Sequence, residues 1–211
     1  MRFIFRVLPS LATFIAMALC LAPCTASGQT PIAPAASVVR SHSSGFFVGL
    51  GYEGDASQVN EAGSPMESGS GGGLVLGYGF SPKWSLYGEG SGATMLTSGG
   101  DTYSLAHVDL GVRRHFRTGP NVVVPFIQFG LSARGVSQSF NGNAVTGSGG
   151  GLSAGVGLNA HFTPSFAFSA AATWDFGQFN NFEVNNTVVN ADAVSVMTTR
   201  VHVGVIWFPG A

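Results

Sequence analysis

Charge is the scarcest feature of this chain. Only 9% of its 211 residues are Asp, Glu, Lys or Arg, against about 25% in an average globular domain. Lysine occurs once, at Lys83. A water-soluble surface of this size carries several times more charge, and a formal net charge of −1 lacks the basic footprint of a nucleic-acid-binding protein. The composition therefore argues against a soluble domain and against a nucleic-acid partner.

Cysteine is almost absent, and both cysteines lie near the start of the chain, at Cys20 and Cys24. A chain cleaved after them has no disulfide framework, no thiolate nucleophile and no cysteine-based metal site. Long apolar runs are also missing beyond this first segment. A helical membrane protein is excluded for that part of the chain, because a membrane helix needs about 20 consecutive apolar residues.

The first segment has the pattern of a secretory signal peptide. Arg2 and Arg6 precede an apolar stretch over residues 7–22, and the small residues Ala26-Ser27-Gly28 follow. Positive, apolar and small residues in this order are typical of a cleaved export signal. We therefore predict three parts of the chain: a signal peptide over 1–28, a linker over 29–44 and a folded domain over 45–209.

Within the folded domain, large apolar residues alternate with small or polar ones. Leu74, Leu76, Tyr78 and Phe80, for example, are separated by single residues that are mostly glycine. A period of two is the signature of a β-strand whose two faces have different surroundings. Eight such segments occur, and each has about the ten residues that a tilted strand needs to span a bilayer.

The connections between these segments alternate in length. Short, turn-like connections lie at 81–83, 118–121 and 163–165, and longer polar ones lie at roughly 55–71, 94–102, 136–149 and 177–197. Short turns on one side and long loops on the other indicate an up-and-down barrel. We therefore predict an all-β fold: an eight-stranded antiparallel transmembrane barrel with both termini at the end of the short turns.

The large residues are predicted to face lipid and the small and charged ones to fill the lumen. A soluble barrel with the opposite orientation does not fit, because an eight-stranded lumen is just wide enough for its side chains and cannot hold four large residues from every strand. The predicted polar network of the lumen consists of Glu53, Glu89, Asp109, Arg113, Arg134, Asp175 and Arg200. The aromatic girdle predicted beside the short turns consists of Tyr78, Trp84, Phe116, Phe162, Phe166 and Trp207.

With its signal peptide, its eight alternating segments and the closing Val203-Gly204-Val205-Ile206-Trp207-Phe208, the chain resembles the small barrels of the OmpA and OmpX type. These belong to the broad, porin-like family of outer-membrane β-barrel domains. The resemblance implies the outer membrane of a Gram-negative bacterium, with periplasmic termini and surface-exposed extracellular loops. It also implies outer-membrane lipid as the surroundings, and periplasmic chaperones and the barrel-assembly machinery as partners during biogenesis.

Several residues match chemical motifs without the structural context that those motifs need. Residues 49–54 fit G-x-G-x-x-G, which requires a following helix, and residues 151–155 fit G-x-S-x-G, which requires a strand-to-helix turn. Four histidines are predicted to face the lumen, where polar packing, a metal site or a proton relay are all open to them: His107, His115, His161 and His202. We predict no catalytic residue, no metal site and no cofactor.

The favoured function is non-enzymatic: a structural or surface-interaction role, with an unidentified extracellular ligand, carried by the four long loops. The alternative is passage of small or hydrophobic solutes across the outer membrane, which needs a gap in the lumen packing or between strands. A lipid-modifying enzyme is less favoured. Resemblance to lipid A deacylases would call for a Ser/His pair facing lipid, whereas the strand histidines are predicted to face inward.

Overall fold

The computed structural model describes residues 43–61, 63–116, 122–140 and 142–210. The predicted signal peptide, the linker up to residue 42 and the turn at 118–121 lie outside the described residues. Nine strands make up most of this part of the chain: β1 Gly45–Val59, β2 Glu67–Ser81, β3 Trp84–Leu96, β4 Thr102–His115, β5 Val123–Phe140, β6 Asn143–His161, β7 Phe166–Val184, β8 Thr187–Val189 and β9 Val194–Trp207. Over the same ranges no helix is long and apolar enough to cross a membrane.

Eight of the strands close into a barrel. Strands β1 to β7 pair antiparallel in chain order, and β9 pairs with both β7 and β1, so each barrel strand has a neighbour on either side. The three-residue β8 pairs with the end of β7. A closed ladder leaves no unpaired strand edge in lipid. The predicted eight-stranded, antiparallel up-and-down barrel is confirmed.

We keep the names that the sequence prediction gives to the two ends of the barrel, although the observed connections of the two ends overlap in length. The short-turn end carries the connections 82–83, 116–122 and 162–165, and the long-loop end carries those that join the opposite ends of the strands. Here the sequence prediction is corrected, because the loops predicted over 55–71, 94–102, 136–149 and 177–197 are largely strand. Strands β5 and β6, for example, are separated by two residues.

The reason for this correction is the environment of the strands beyond the lipid. There the outward residues are polar or small, as in the Gly147-Ser148-Gly149-Gly150 segment of β6. The apolar alternation that marks a lipid-facing strand in the sequence therefore disappears. The backbone hydrogen-bond ladder continues regardless, because it does not depend on the polarity of the side chains.

Adjacent residues of each strand have opposite surroundings. On β4, Leu110 is 65% exposed on the outside while Asp109 is 1% exposed in the lumen, and on β6 Leu152 is 62% exposed while Ser153 is 3% exposed. The barrel is therefore apolar outside and mostly polar inside. This distribution suits a barrel surrounded by lipid.

Glycines inside the short-turn end make room for two large rings. A Cβ atom on Gly77 would lie 2.1 Å from Cζ of Phe47, and one on Gly157 would lie 2.4 Å from Cζ of Phe126. Both rings are inside the lumen, with exposures of 2% and 1%. The sequence prediction placed small and charged residues in the lumen, and the structure adds these rings to them.

Candidate functional site

The barrel interior contains three successive layers along its axis. Nearest the short-turn end is an aromatic layer made by Phe47, Tyr87, Phe126 and Phe208. The guanidinium of Arg113 lies over the ring of Phe126 at 4.1 Å and over that of Tyr87 at 5.0 Å. An arginine stacked on aromatic faces is stabilised by their quadrupoles, and more strongly when the site is desolvated. The four rings are at most 4% exposed, so they pack the lumen at the short-turn end.

Hydrogen bonds connect the aromatic layer to the strands on either side. The Nη2 and Nε atoms of Arg113 donate to Oε1 of Gln128 at 2.8 and 3.2 Å. In turn, Nε2 of Gln128 donates to Oγ1 of Thr173 at 3.0 Å. The three side chains join β4, β5 and β7, and each is less than 5% exposed. The orientation of the Arg113 guanidinium is therefore held from two directions.

The middle layer is a charge cluster centred on Arg200, which contacts Glu53, Glu89, Asp109 and Asp175. Its Nε atom donates to Oδ2 of Asp175 at 2.7 Å, and its Nη1 atom lies 3.3 Å from Oε1 of both Glu53 and Glu89. Its Nη2 atom pairs with Oδ2 of Asp109. The five side chains come from β1, β3, β4, β7 and β9. One guanidinium thus connects five of the eight barrel strands.

The strand register explains why this cluster needs its arginine. Glu89 on β3 and Asp109 on β4 are direct cross-strand partners, and like charges in that position repel. Both carboxylates are nearly inaccessible to water, at 8% and 1% exposure. Arg200 reaches both from the other side of the lumen, because a guanidinium offers five donors in a fixed fork.

Two further charged groups lie near this cluster. Arg134 donates from Nη1 to the backbone oxygen of Val196 at 3.3 Å, and its guanidinium lies 6.0 Å from the ring of Phe179. Asp55 is 5% exposed and is not part of the predicted network, because the sequence prediction places a loop from residue 55 onward. Continuing the alternation of β1 by one step beyond Glu53 would have placed Asp55 in the lumen.

The four histidines occupy different environments within the lumen. Oγ of Ser85 and Nε2 of His115 are 3.0 Å apart, and the ring of His161 stacks on Phe208 with centroids 5.3 Å apart. Donor atoms of His202, Glu53 and Glu89 lie within 4.8 Å of one another, close enough to be considered as metal ligands. Arg200 already contacts both carboxylates there, so a metal cation would have to compete with the guanidinium.

On the outside of the short-turn end, six aromatic side chains are between 38% and 57% exposed: Tyr78, Trp84, Phe116, Phe162, Phe166 and Trp207. Neighbouring rings contact one another, with Phe166 centred 6.0 Å from Phe162 and 6.5 Å from Trp207. The guanidinium of Arg114 lies 5.4 Å from the Trp84 ring. Such a ring of aromatic side chains suits one membrane–water interface.

The third layer is an apolar cup at the long-loop end. It is a cavity of about 350 Å³, and its apolar walls are formed by Leu105, Val136, Phe179, Phe182, Val194 and Val196. Among its polar lining residues, Tyr103 donates from its hydroxyl to Oε2 of Glu67 at 2.8 Å. Burial and the neighbouring Glu67 carboxylate raise the pKa of this hydroxyl. Tyr103 therefore remains a donor at neutral pH.

The cup was not found from the sequence. Most of its lining residues lie in segments that the sequence prediction assigned to loops. The signal that identifies them is the continued period of two, as in Val194 and Val196 of β9, which line the cup together. In this part of the barrel the outer face does not contact lipid, so the outward residues are not apolar. The segment therefore lacks the pattern of a lipid-facing strand and resembles an irregular one.

Comparison with known proteins places most of the chain in one family. The family model described as outer membrane protein beta-barrel domain matches residues 16–205. Neisserial surface protein A (NspA) is similar in structure, with a TM-score of 0.61 and 16% identity over 78% of this chain and 97% of that one. No curated protein matches the chain by sequence.

Two further solved structures share the fold. OprG from Pseudomonas aeruginosa has a TM-score of 0.55 and 13% identity, covering 80% of this chain and 98% of that one. Ail, the attachment invasion locus protein of Yersinia pestis, has a TM-score of 0.50 and 19% identity, covering 78% and 100%. At these identities the likeness extends to the barrel architecture.

Proposed function

Since this chain belongs to the outer membrane protein beta-barrel domain family, we propose that it is a closed, non-enzymatic membrane anchor whose long-loop end is a binding surface. The family places the protein in the outer membrane, as its sequence resemblance implied. The proposal adds a role for the part of the barrel that projects from the lipid, and it treats the transmembrane part as a rigid support.

The observation that carries the proposal is the filled lumen. Arg200 joins carboxylates from four other strands, and the aromatic layer with Arg113 lies between this cluster and the short-turn end. A solute crossing the barrel would have to separate buried charges from their partners, which costs several kcal/mol per ion. The interior therefore supports an anchor better than a channel.

The length of the strands supports an outward-facing binding surface. Strands β6 and β7 have 19 residues each, whereas a tilted strand needs about 9–11 to span the hydrocarbon. On β6 the outward apolar residues end at Leu152, and outward Gly150 and Ser148 follow. The excess length therefore projects from the lipid at the long-loop end.

We call the part of the barrel that extends beyond the lipid at the long-loop end the projecting end. Its charge restricts the class of ligand that it can bind. Five acids lie in it and neither lysine nor arginine does: Glu61, Glu67, Asp101, Glu183 and Asp192. Ail, which shares the fold, has been crystallised with the heparin analogue sucrose octasulfate. A polyanion of that kind does not suit the acidic end of the present barrel, so the two proteins should differ in what they bind.

Cysteine labelling in intact cells tests the orientation that this function requires. The chain has no cysteine beyond Cys24, so single cysteines can be introduced as Ala191→Cys at the long-loop end and Lys83→Cys at the short-turn end. We expect a membrane-impermeant maleimide to label Ala191→Cys in intact Gram-negative cells and Lys83→Cys only after the cells are broken. The reverse pattern would place the binding surface in the periplasm and overturn the proposal.

Conductance tests the filled lumen. Purified protein in planar bilayers is expected to show no steady current, because the charge cluster and the aromatic layer leave no continuous water path. An open porin in the same bilayers is the positive control. A large, stable, porin-sized conductance from the wild-type monomer would contradict the anchor and favour passage of solutes.

A further inference from the structure

We infer that the apolar cup binds a small organic cation, with an ammonium group on an aliphatic or aromatic body. The inference deepens the proposed binding role of the long-loop end and rests on it. It depends on three features of the described residues: the volume of the cup, the charge beneath its floor and the charge around its mouth.

The cup has the size and lining of a small-molecule site. Its volume of about 350 Å³ lies at the lower end of the range for ligand pockets. One water molecule occupies roughly 30 Å³ in the liquid. With the same volume for each non-hydrogen atom and its hydrogens, the cup holds a ligand of about a dozen non-hydrogen atoms. Phe179, Phe182 and the valines of its wall offer no hydrogen bonds to water. An apolar body is therefore the complementary filling.

The arginine nearest the floor of the cup disfavours a cationic group there. Leu105 lines it at 2% exposure and packs in one buried apolar cluster with Phe179 and Val196. Directly below, Arg134 contacts two wall residues: its guanidinium faces the ring of Phe179, and it donates to the backbone oxygen of Val196. The carboxylates below Arg134 already contact the Arg200 guanidinium, so Arg134 is the charged group that an ammonium at the floor would meet first, and this arginine would repel it. A cationic ligand must therefore enter with its apolar end first and keep its charge at the mouth.

The mouth of the cup has the opposite charge. Glu67 is one of the lining residues. Its Oε2 atom accepts a hydrogen bond of 2.8 Å from the Tyr103 hydroxyl, which keeps the carboxylate at the wall. A carboxylate has about four acceptor positions, so one bond from Tyr103 leaves capacity for an ammonium donor. The other four acids lie in the same projecting end, which has no lysine or arginine. Their combined field attracts cations and repels anions.

The apolar body and the charged head are thus matched to different parts of one cavity. A neutral molecule of the same size would use the walls but not Glu67. An anionic one would meet the acidic mouth first, and it would benefit only if its head reached Arg134. An amine with an apolar body is therefore the class of ligand that is complementary to the walls, the floor and the mouth of the cup.

Binding of three octyl compounds tests this directly. Octylammonium, octanol and octanoate share a chain and differ in charge, and each is titrated by calorimetry into protein in phosphatidylcholine nanodiscs, with empty nanodiscs subtracted. We expect octylammonium to bind about ten-fold more tightly than octanol or octanoate, as one charge-assisted hydrogen bond provides. This preference should decrease as the salt concentration rises, because exposed charges are screened.

Two acid variants locate the head of the ligand. Glu67→Gln keeps an acceptor for Tyr103 but removes the charge, and we expect it to abolish the preference for octylammonium. Glu61→Gln, an exposed acid outside the lining, is the matched control and should leave the affinity within about two-fold. An unchanged preference in Glu67→Gln, equal binding of all three compounds, or tighter binding of octanoate would each overturn the inference.

Crosslinking locates the body of the ligand. An octylamine carrying a diazirine is expected to label peptides that contain cup residues such as Val136 or Phe182. Labelling confined to lipid-facing residues such as Leu152 would show partition into the bilayer and would overturn the cup as the site. Failure here is distinguishable from failure of the proposed function, because cysteine labelling at Ala191 reports the orientation of the barrel whether or not the cup is occupied.

Discussion

Replacing Arg200 with alanine is expected to lower the free energy of unfolding by about 3–5 kcal/mol, the usual cost of removing one partner from a buried ion pair. The variant would leave four carboxylates in the lumen without the guanidinium that contacts them all. Glu89 and Asp109, which face each other across β3 and β4, would then repel one another at close range. The loss is large because the whole cluster depends on one side chain.

Urea unfolding in lipid vesicles, followed by tryptophan fluorescence, measures this loss. Arg114→Ala is the matched control, because Arg114 is exposed on the outside of the short-turn end and forms no salt bridge with any described residue. We expect the control to lose less than about 1 kcal/mol, as surface charges do. A loss in Arg200→Ala no larger than that of Arg114→Ala would show that the cluster contributes little to stability.

The barrel itself is predictable from sequence because every strand that contacts lipid needs an apolar outer face of its own, whichever strands it pairs with. A lipid-facing strand shows apolar residues at every second position, and the outward positions of β6 from Leu152 to Ala160 are all apolar. The same alternation places Asp175 and Arg200 in the lumen, without knowledge of any partner. Strand number and side-chain orientation therefore follow from local patterns.

The partners within the lumen do not follow from local patterns. Which carboxylates reach Arg200 depends on how far each strand is displaced along its neighbour, and this stagger is a property of the closed barrel. Glu53 and Glu89 are on different hairpins, 147 and 111 positions away from Arg200. Phe47 and Phe126 occupy positions that face the lumen by the alternation of their strands. Only the glycines opposite the two rings show that the lumen has room for them.

The apolar cup shows a different limit of sequence interpretation. Beyond the lipid the apolar residues of the strands face inward and the outward ones are polar or small, which is the opposite of the lipid-facing part. Val194 and Val196 therefore do not continue the apolar outward pattern that marks the membrane strands, and only their parity with the lumen residues of β9 identifies them as inward. Because the contrast reverses along one strand, the projecting segments are predicted as loops.

Introducing arginine on the lipid-facing side of β6 is expected to have the second large effect. Val156 is 48% exposed on the outside of the barrel and lies near the middle of the apolar stretch of its strand, between Leu152 and Phe162. An arginine at the bilayer midplane costs about 2–4 kcal/mol in a transmembrane barrel, and the cost falls to about 0–1 kcal/mol near the interfaces. We therefore expect Val156→Arg to lower the free energy of unfolding by the larger amount.

Ser148→Arg is the matched control for this prediction. Ser148 lies on the same strand and is also exposed, but it is eight residues farther toward the long-loop end, which is about 26 Å at 3.3 Å per residue. That distance along a tilted strand places it beyond the hydrocarbon, where an arginine side chain remains hydrated. Urea unfolding in vesicles should therefore show a clear loss in Val156→Arg and little change in Ser148→Arg. Equal tolerance at the two positions would mean that lipid does not cover the middle of β6. The assigned position of the membrane would then be wrong, and with it the conclusion that the long-loop end projects from the lipid.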